Sequence, residues 1–285
     1  MKWSHRRPAG RIAYVNGRYL PHGVAGVHIE DRGLQLADSI YEVCNLTGGV
    51  LLDEGAHLDR LERSLAAIEM DMPMGRTALA LVMRETVRRN DARDGLLYLQ
   101  VTRGALRRDH PIPAHPPRPT LILTLHPTNT GAAARRMEEG VGVLTCPDER
   151  WARCDIKTTQ LLPNLLAKTA ARRAGAFEAW LIDADGFITE GASTNAWIVT
   201  QAGELVTRGL SHAILPGVTR AVILDAARNA QMKIVERKFT LAEALGAQEA
   251  FISSATGSAV PVVAINGQKI GNGQPGPVTR RLHTL

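Results

Sequence analysis

Over residues 127–134 the chain reads PTNTGAAA: hydrophobic periodicity stops there and turn-forming and small residues take its place. This break divides the chain into a first domain over 1–126, a linker over 127–134 and a second domain over 135–285. The division constrains the fold more than any single motif. At 285 residues the chain is at the size, roughly 250 to 300 residues, where one hydrophobic core stops growing, so each half is expected to close a core of its own.

Both halves mix strands and helices, which makes the chain α/β, of the α+β kind. In the first half an Asn16-Gly17 pair between short apolar runs predicts a hairpin. Ser39–Leu46 and Val50–Leu52 predict a second. From His57 to Met70 the apolar residues Leu58, Leu61, Leu65 and Ile68 form one helical stripe. A second helix is expected over Thr77–Asn90, with Leu79, Leu81, Val82 and Val87 turned inward. Strands follow at Leu96–Thr102 and Thr120–Leu125. The second half is expected to hold a strand at Gly142–Cys146, a helix ending near Ala174, a hairpin of Glu178–Ile182 with Phe187–Thr200, and a helix over Thr219–Gln231. A short strand at Lys233–Arg237, a short helix at Leu241–Leu245, and strands at Ala250–Ser253 and Val260–Ile265 complete it.

Composition excludes several classes. With 45% hydrophobic and 22% charged residues the chain is globular. The net charge of +6 is spread along its length and aromatic residues are only 4%, so neither a basic stripe nor a stacking platform for nucleic acid is present. The excess of positive charge fits an anionic small molecule better. Three cysteines, Cys44, Cys146 and Cys154, lack metal-ligand spacing and point to a reducing compartment. The start, MKWSHRRPAGR, leads into no apolar stretch of a signal peptide, and no run approaches the ~18 apolar residues of a membrane span. These readings predict a soluble cytoplasmic protein without a metal. No GxGxxG or Walker loop supports a nucleotide fold.

Of 34 basic residues only six are lysines. A chain that meets its need for charge with arginine keeps a lysine where amine chemistry is wanted, because lysine loses its proton when desolvated and arginine does not. Lys157, in CDIKTTQLLPNLLAK, stands out among the six: an apolar strand precedes it and a helix expected to start near Thr158 or Thr159 follows. A positioned lysine amine most often meets a carbonyl, and with pyridoxal phosphate the cofactor is the electron sink. That chemistry also needs a phosphate cradle and a carboxylate at the pyridine nitrogen. Leu215-Pro216-Gly217-Val218-Thr219-Arg220 opens a helix, so backbone N–H groups and a threonine hydroxyl would face an anion there; an ordinary turn and cap reads the same way. Ser253-Ser254-Ala255-Thr256-Gly257 is a second hydroxyl-rich turn. Glu190, flanked by Phe187 and Ile188 before it and Trp197, Ile198 and Val199 after, needs a partner if it is buried; a solvated hairpin glutamate is the alternative.

Taken together, these segments resemble the fold-type IV pyridoxal-phosphate enzymes (class IV aminotransferases), the group of D-amino acid aminotransferase, branched-chain aminotransferase and 4-amino-4-deoxychorismate lyase. The likeness runs from Tyr14-Val15-Asn16-Gly17 to Gly276-Pro277-Val278-Thr279-Arg280. It rests on Glu30-Asp31-Arg32-Gly33, His57-Leu58-Asp59-Arg60-Leu61, Asp155-Ile156-Lys157, Ile188-Thr189-Glu190-Gly191, the Leu215–Arg220 turn and the Ser253–Thr256 turn. The resemblance implies a smaller N-terminal α+β domain and a larger C-terminal domain with a β-barrel-like sheet core. It implies Lys157 as the Schiff-base lysine, Glu190 at the pyridine nitrogen of pyridoxal 5'-phosphate, and Arg60, Thr219 and the Val218 amide on the phosphate. Leu215, Gly217, Ser254, Ala255 and Thr256 complete the expected cofactor contacts.

Within the group, Arg108 and His110 resemble the Arg-x-His pair with which D-amino acid aminotransferases grip the substrate carboxylate across a homodimer interface. Leu162, five residues after the lysine, stands where branched-chain aminotransferases carry tyrosine. Two positions depart from the D-amino acid pattern: Leu34 replaces a tyrosine that helps hold the carboxylate, and Ala255 replaces a phosphate-contacting threonine. The expected activity is transamination of D-amino acids such as D-alanine and D-glutamate with 2-oxoglutarate or pyruvate. The alternatives are 4-amino-4-deoxychorismate lyase and a branched-chain or (R)-amine transaminase of the same fold.

Overall fold

The computed structural model describes residues 10–128 and 130–284; residues 1–9, on which the reading of the chain's start rests, and Lys2 lie outside them. The chain forms two compact units, residues 10–128 with Ile156–Gln160, and residues 130–155 with 161–284.

The first unit contains β1 (Ile12–Val15), β2 (Arg18–Pro21), α1 (Arg32–Leu36), β3 (Ser39–Thr47), β4 (Val50–Leu51), α2 (Glu54–Ala66), α3 (Arg76–Arg89), β5 (Gly95–Thr102) and β6 (Thr120–Pro127). Its sheet has the order β2-β1-β6-β5-β3-β4, antiparallel throughout. The β1–β2 turn is the expected Asn-Gly pair, with φ of 46° at Asn16 and 89° at Gly17, the two positive angles of a type I′ hairpin. Alternate strand residues, Ile40, Cys44 and Leu46 on β3, Leu97, Leu99 and Val101 on β5, Leu121, Leu123 and Leu125 on β6, join Leu58, Leu61 and Leu65 of α2 and Leu79, Met83 and Val87 of α3 in one core. Leu81, expected inward, is 60% exposed. It lies two residues from Leu79, about 200° around the helix, while Met83 takes the inward position.

The segment Ile156–Gln160 is not helical; it turns tightly at Lys157, where the Thr158 N–H donates to the Ile156 carbonyl at 2.8 Å. It lies along the edge of β3: Tyr41 donates its N–H to the Lys157 carbonyl at 3.0 Å and Thr159 to Ser39 at 3.3 Å, with a bridge between Ile40 and Thr158. The helix expected at Thr158 or Thr159 therefore starts later, at Leu162, with Pro163 in its first turn. Proline suits that turn because its missing N–H would have no partner there.

The second unit contains α4 (Thr130–Glu139), β7 (Val141–Pro147), α5 (Leu162–Arg173), β8 (Glu178–Ile182), β9 (Phe187–Gly191), β10 (Asn195–Val199), β11 (Leu205–Thr207), α6 (Val218–Asn229), β12 (Ile234–Glu236), β13 (Phe239–Thr240), α7 (Leu241–Leu245), β14 (Glu249–Ser254), β15 (Ser258–Ile265), β16 (Gln268–Lys269) and α8 (Pro277–Thr284). Helix α4 occupies most of the stretch read as a linker. The sheet runs β12-β11-β10-β14-β15-β7-β8-β9-β13, with β16 on β15. Its first and last strands, β12 and β13, are separated in sequence by Arg237 and Lys238 alone, so the sheet is rolled until its two ends meet. One apolar cluster accordingly takes Val143, Trp180, Ile188, Ile198, Val206, Phe239, Ile252 and Val260 from strands all along that order. The opposite face packs under helices: Trp197 and Phe251 with Ile223 and Leu224 of α6 and Leu282 of α8, and Ala179 and Leu181 with Ala167 and Ala171 of α5. With both faces covered, β10 is buried at all five positions, which is why Ala196–Val199 reads as an apolar run without alternation. No helix among the described residues is long and apolar enough to cross a membrane.

Candidate active site

In the first unit two predicted residues, Arg60 and Lys157, share one electrostatic neighbourhood. Arg60 projects from α2 and is 5% exposed; Glu42, on the core-facing side of β3, is 2% exposed. Arg60 donates through Nε and Nη2 to the two Glu42 oxygens at 2.7 and 2.8 Å. His57, one turn earlier on α2, meets Glu42 Oε2 through Nδ1 at 2.8 Å. Burial pushes the Glu42 carboxyl up, but the hydrogen bonds from Arg60 and His57 and the charges of Arg60 and Lys157 outweigh it and hold it down at about 2. Arg60, a long cation in an apolar neighbourhood, is thus fixed by a partner on a strand 18 residues away in sequence.

Lys157 is half-buried. Its Nζ stands 4.2 Å from the centre of the Tyr41 ring, a cation–π distance, and Tyr41 stacks on Tyr98 at 5.8 Å. The hydroxyl of Tyr98 donates to Gln100, Gln100 donates to Ser39 Oγ, and Ser39 Oγ lies 2.5 Å from Thr159 Oγ1. This chain of contacts ties the lysine segment to β3 and β5 by side chains as well as backbone.

The second unit gathers Glu190, Leu215 and Gly217. Glu190 on β9 is 4% exposed, so it is not the solvated hairpin glutamate that its position also allowed. Arg150 donates through Nη1 to its Oε1 at 2.5 Å, Asn195 through Nδ2 to its Oε2 at 2.9 Å, and the Leu215 N–H reaches both oxygens at 3.1 and 3.2 Å. Burial pushes the carboxyl up to about 7, against the pull of the Arg150 charge and hydrogen bond. Asn195 Nδ2 also donates to the Leu215 carbonyl at 3.1 Å. Gly217 caps α6 without a side-chain hydrogen bond at φ −65°, an angle open to any residue. Space requires the glycine: a Cβ there would lie 2.1 Å from Asn195 Oδ1. Val218 and Thr219 follow as the first turn of α6, where N–H groups and the helix dipole favour an anion. Across the sheet Asn195 pairs in register with Ser253. Ser254 and Thr256 hydrogen-bond each other at 2.9 Å in the β14–β15 turn, with half-buried Ala255 between them.

The residues of the predicted carboxylate grip are all exposed. Leu34 on α1 is 65% exposed, and Arg108 and His110 are exposed on the loop after β5. Buried Arg32 anchors that loop by donating to the carbonyls of Asp109 and His110 at 2.7 and 3.4 Å.

Sequence reasoning did not single out Glu42, Tyr41, Arg150 or Asn195. A signal existed for Arg150, since a glutamate in an apolar segment demands a cation. The candidates were 28 arginines, however, and the partner lies 40 residues before Glu190.

The residues present fit pyridoxal 5'-phosphate. Glu190 receives three donors among the described residues, one fewer than the four acceptor directions of a carboxylate, which leaves room for the N–H of a protonated ring nitrogen. The glycine-capped α6 suits a phosphate, and Lys157 offers an amine. A model of the amino-transferase class IV family matches residues 39–265, and the chain belongs to that family. It is therefore a pyridoxal-phosphate-dependent aminotransferase that acts on amino acid and 2-oxo acid substrates. Among curated relatives, D-alanine aminotransferase of Bacillus licheniformis is 39% identical over 269 residues, 94% of this chain and 93% of that one. The fold is shared with Escherichia coli branched-chain amino acid aminotransferase, TM-score 0.88 at 24% identity over 96% of this chain and 92% of that one. It is also shared with a hypothetical aminotransferase from Mycobacterium tuberculosis in its PLP-bound form, TM-score 0.83 at 22% identity over 96% of this chain and 97% of that one.

Proposed function

We propose that the enzyme transaminates D-amino acids, D-alanine among them, with 2-oxo acids such as pyruvate or 2-oxoglutarate as acceptors. The observation that carries this reading is the 39% identity, over nearly the whole of both chains, to a D-alanine aminotransferase.

In this reading Arg60, Thr219 and the Val218 amide hold the phosphate, with Leu215, Gly217, Ser254, Ala255 and Thr256 beside them. Bound pyridoxal 5'-phosphate supplies an aldehyde that condenses with amines and a ring that accepts the electron pair left by the α-proton. Lys157 would provide the amine that anchors the cofactor and would move the substrate's α-proton, as general base and then general acid. The Tyr41 ring, 4.2 Å from Lys157 Nζ, offers that amine an aromatic face. Glu190 would hold the proton on the ring nitrogen, its carboxylate being fixed for that task by Arg150, Asn195 and the Leu215 N–H. The active assembly in this proposal is a homodimer in which exposed Arg108 and His110 serve the partner's substrate carboxylate. The free state of Cys44, Cys146 and Cys154 is consistent with a reducing, cytoplasmic setting.

The test is a coupled assay of the purified enzyme over D- and L-amino acids with chiral analysis of the products, run beside an aminodeoxychorismate assay. D-Alanine turnover with strict D-selectivity is expected. Turnover confined to L-amino acids, or 4-aminobenzoate production without transamination, would overturn the proposal.

A further inference from the structure

The carboxylate Glu190 does not stand alone. Arg150, in the loop after β7, is 8% exposed at its side chain, and each of its three nitrogens is committed. Nη1 donates to Glu190, Nε to Asp148 Oδ1 at 2.9 Å, and Nη2 to Asp148 Oδ2 at 2.8 Å and the Ala213 carbonyl at 3.0 Å. Asp148 is itself held by the Thr189 hydroxyl, which donates to Oδ2 at 2.7 Å. Thr189 precedes Glu190 on β9, so the same strand fixes both ends of the row. We propose that Arg150, clamped by Asp148, is a positioning residue for Glu190: it fixes the orientation of the carboxylate and keeps it ionised, and Asp148 limits how strongly it does so.

The physical case rests on charge. A carboxylate buried without a cation takes up a proton. One facing an unopposed guanidinium becomes a very weak base, poorly suited to share a proton with a ring nitrogen. Asp148 removes much of that excess. The row Asp148, Arg150, Glu190 then carries one net negative charge in a buried place, which a protonated ring nitrogen would balance. Asp148 meets a cavity of about 540 Å³ lined also by Arg150, Trp151, Cys154, Thr189 and His212. Access to that cavity lowers the cost of keeping Asp148 charged. The other groups facing Glu190 are neutral: the Asn195 amide, the Leu215 N–H, and the Cys154 thiol, which burial pushes up to about 11.

The inference rests on the reading that Glu190 serves the ring nitrogen, and its test separates the two. In the cofactor-free protein the Glu190 carboxyl is titrated by difference infrared spectroscopy, its band assigned by its loss in Glu190→Gln. Arg150→Gln is expected to move the titration upward by about 1 to 3 pH units, Arg150→Lys by less, and Asp148→Asn downward. Opposite shifts from the two neighbours are not what a merely structural role would produce. If Arg150→Gln does not fold, Arg150→Lys and Asp148→Asn carry the test. A Glu190 titration unmoved by these substitutions overturns the proposal. A holoenzyme of Glu190→Gln that keeps wild-type turnover and visible spectrum, while the titration shifts stand, would instead overturn the ring-nitrogen reading.

Discussion

Gly217 and Asn195 are in contact so close that a single added carbon on Gly217 would lie 2.1 Å from Asn195 Oδ1. Asn195 has little freedom to yield, because its Nδ2 is shared between Glu190 Oε2 and the Leu215 carbonyl. Gly217→Ala is therefore expected to destabilise the cofactor-free protein by about 1 to 3 kcal/mol through overpacking. It should also weaken pyridoxal phosphate binding by displacing the first turn of α6. Thermal unfolding and a cofactor titration check both effects, and wild-type values in both would contradict the steric argument.

Lys157→Ala is expected to abolish transamination and the borohydride-sensitive visible band of the bound cofactor. The backbone bond from Tyr41 to the residue 157 carbonyl survives the change. The lost contact with the Tyr41 ring should therefore cost only about 0.5 to 1 kcal/mol. A purified variant with wild-type turnover would remove Lys157 from the mechanism.

Glu42→Gln leaves Arg60 and His57 without their buried anion, and about 3 to 5 kcal/mol of stability should go with it. The pH dependence follows in sign. Folding lowers the Glu42 pKa to about 2 from an unfolded value near ~4.3. Its contribution is thus fully present above about 4.3 and lost as the pH falls toward 2. Urea midpoints across this range should decline less steeply in Glu42→Gln than in the wild type.

Glu190 has the opposite sign. Folding raises its pKa to about 7, so its contribution to stability is greatest below about 4.3 and falls as the pH rises through 7. In the cofactor-free protein, Glu190→Gln should flatten the part of the stability profile between those limits, which calorimetry at a series of pH values would detect.

At the exposed positions only kinetics should respond. Leu34→Tyr supplies a hydroxyl where relatives of the D-amino acid type are expected to have one, and about 1 kcal/mol predicts a KM for D-alanine lower by roughly fivefold. Arg108→Leu should raise KM and leave the unfolding temperature unchanged. A loss of stability in either variant would mean that these side chains pack in ways their exposure does not indicate.

Local signals in the sequence identified local structure well. The Asn16-Gly17 turn, the leucine stripe of α2 and the short helix at Leu241–Leu245 need only neighbours a few residues apart, and all form as read. Candidate site residues could be named where one short stretch suggests the chemistry, as with Lys157 and the Leu215–Thr219 turn. Pairings between distant stretches could not be named. Nothing local pairs Glu42 with Arg60 or Arg150 with Glu190, and arginines are too numerous here for their type alone to select a partner. The start of α5 was misplaced because Thr158 and Thr159 read equally well as helix caps; the backbone bond of Thr159 to Ser39 and the bridge of Thr158 to Ile40 on β3 hold the segment outside the helix instead.

The rolled sheet of the second unit has a consequence for how the enzyme meets other chains. Its terminal strands, β12 and β13, are three and two residues long and are joined by the basic pair Arg237 and Lys238. Unpaired backbone at a sheet margin is where foreign strands add and aggregation begins, and short, charged margins suppress it. The unit thus offers other polypeptides almost no ladder to extend. Any association made through this unit would therefore use side-chain surfaces, and a point substitution that disrupts it should leave the sheet intact.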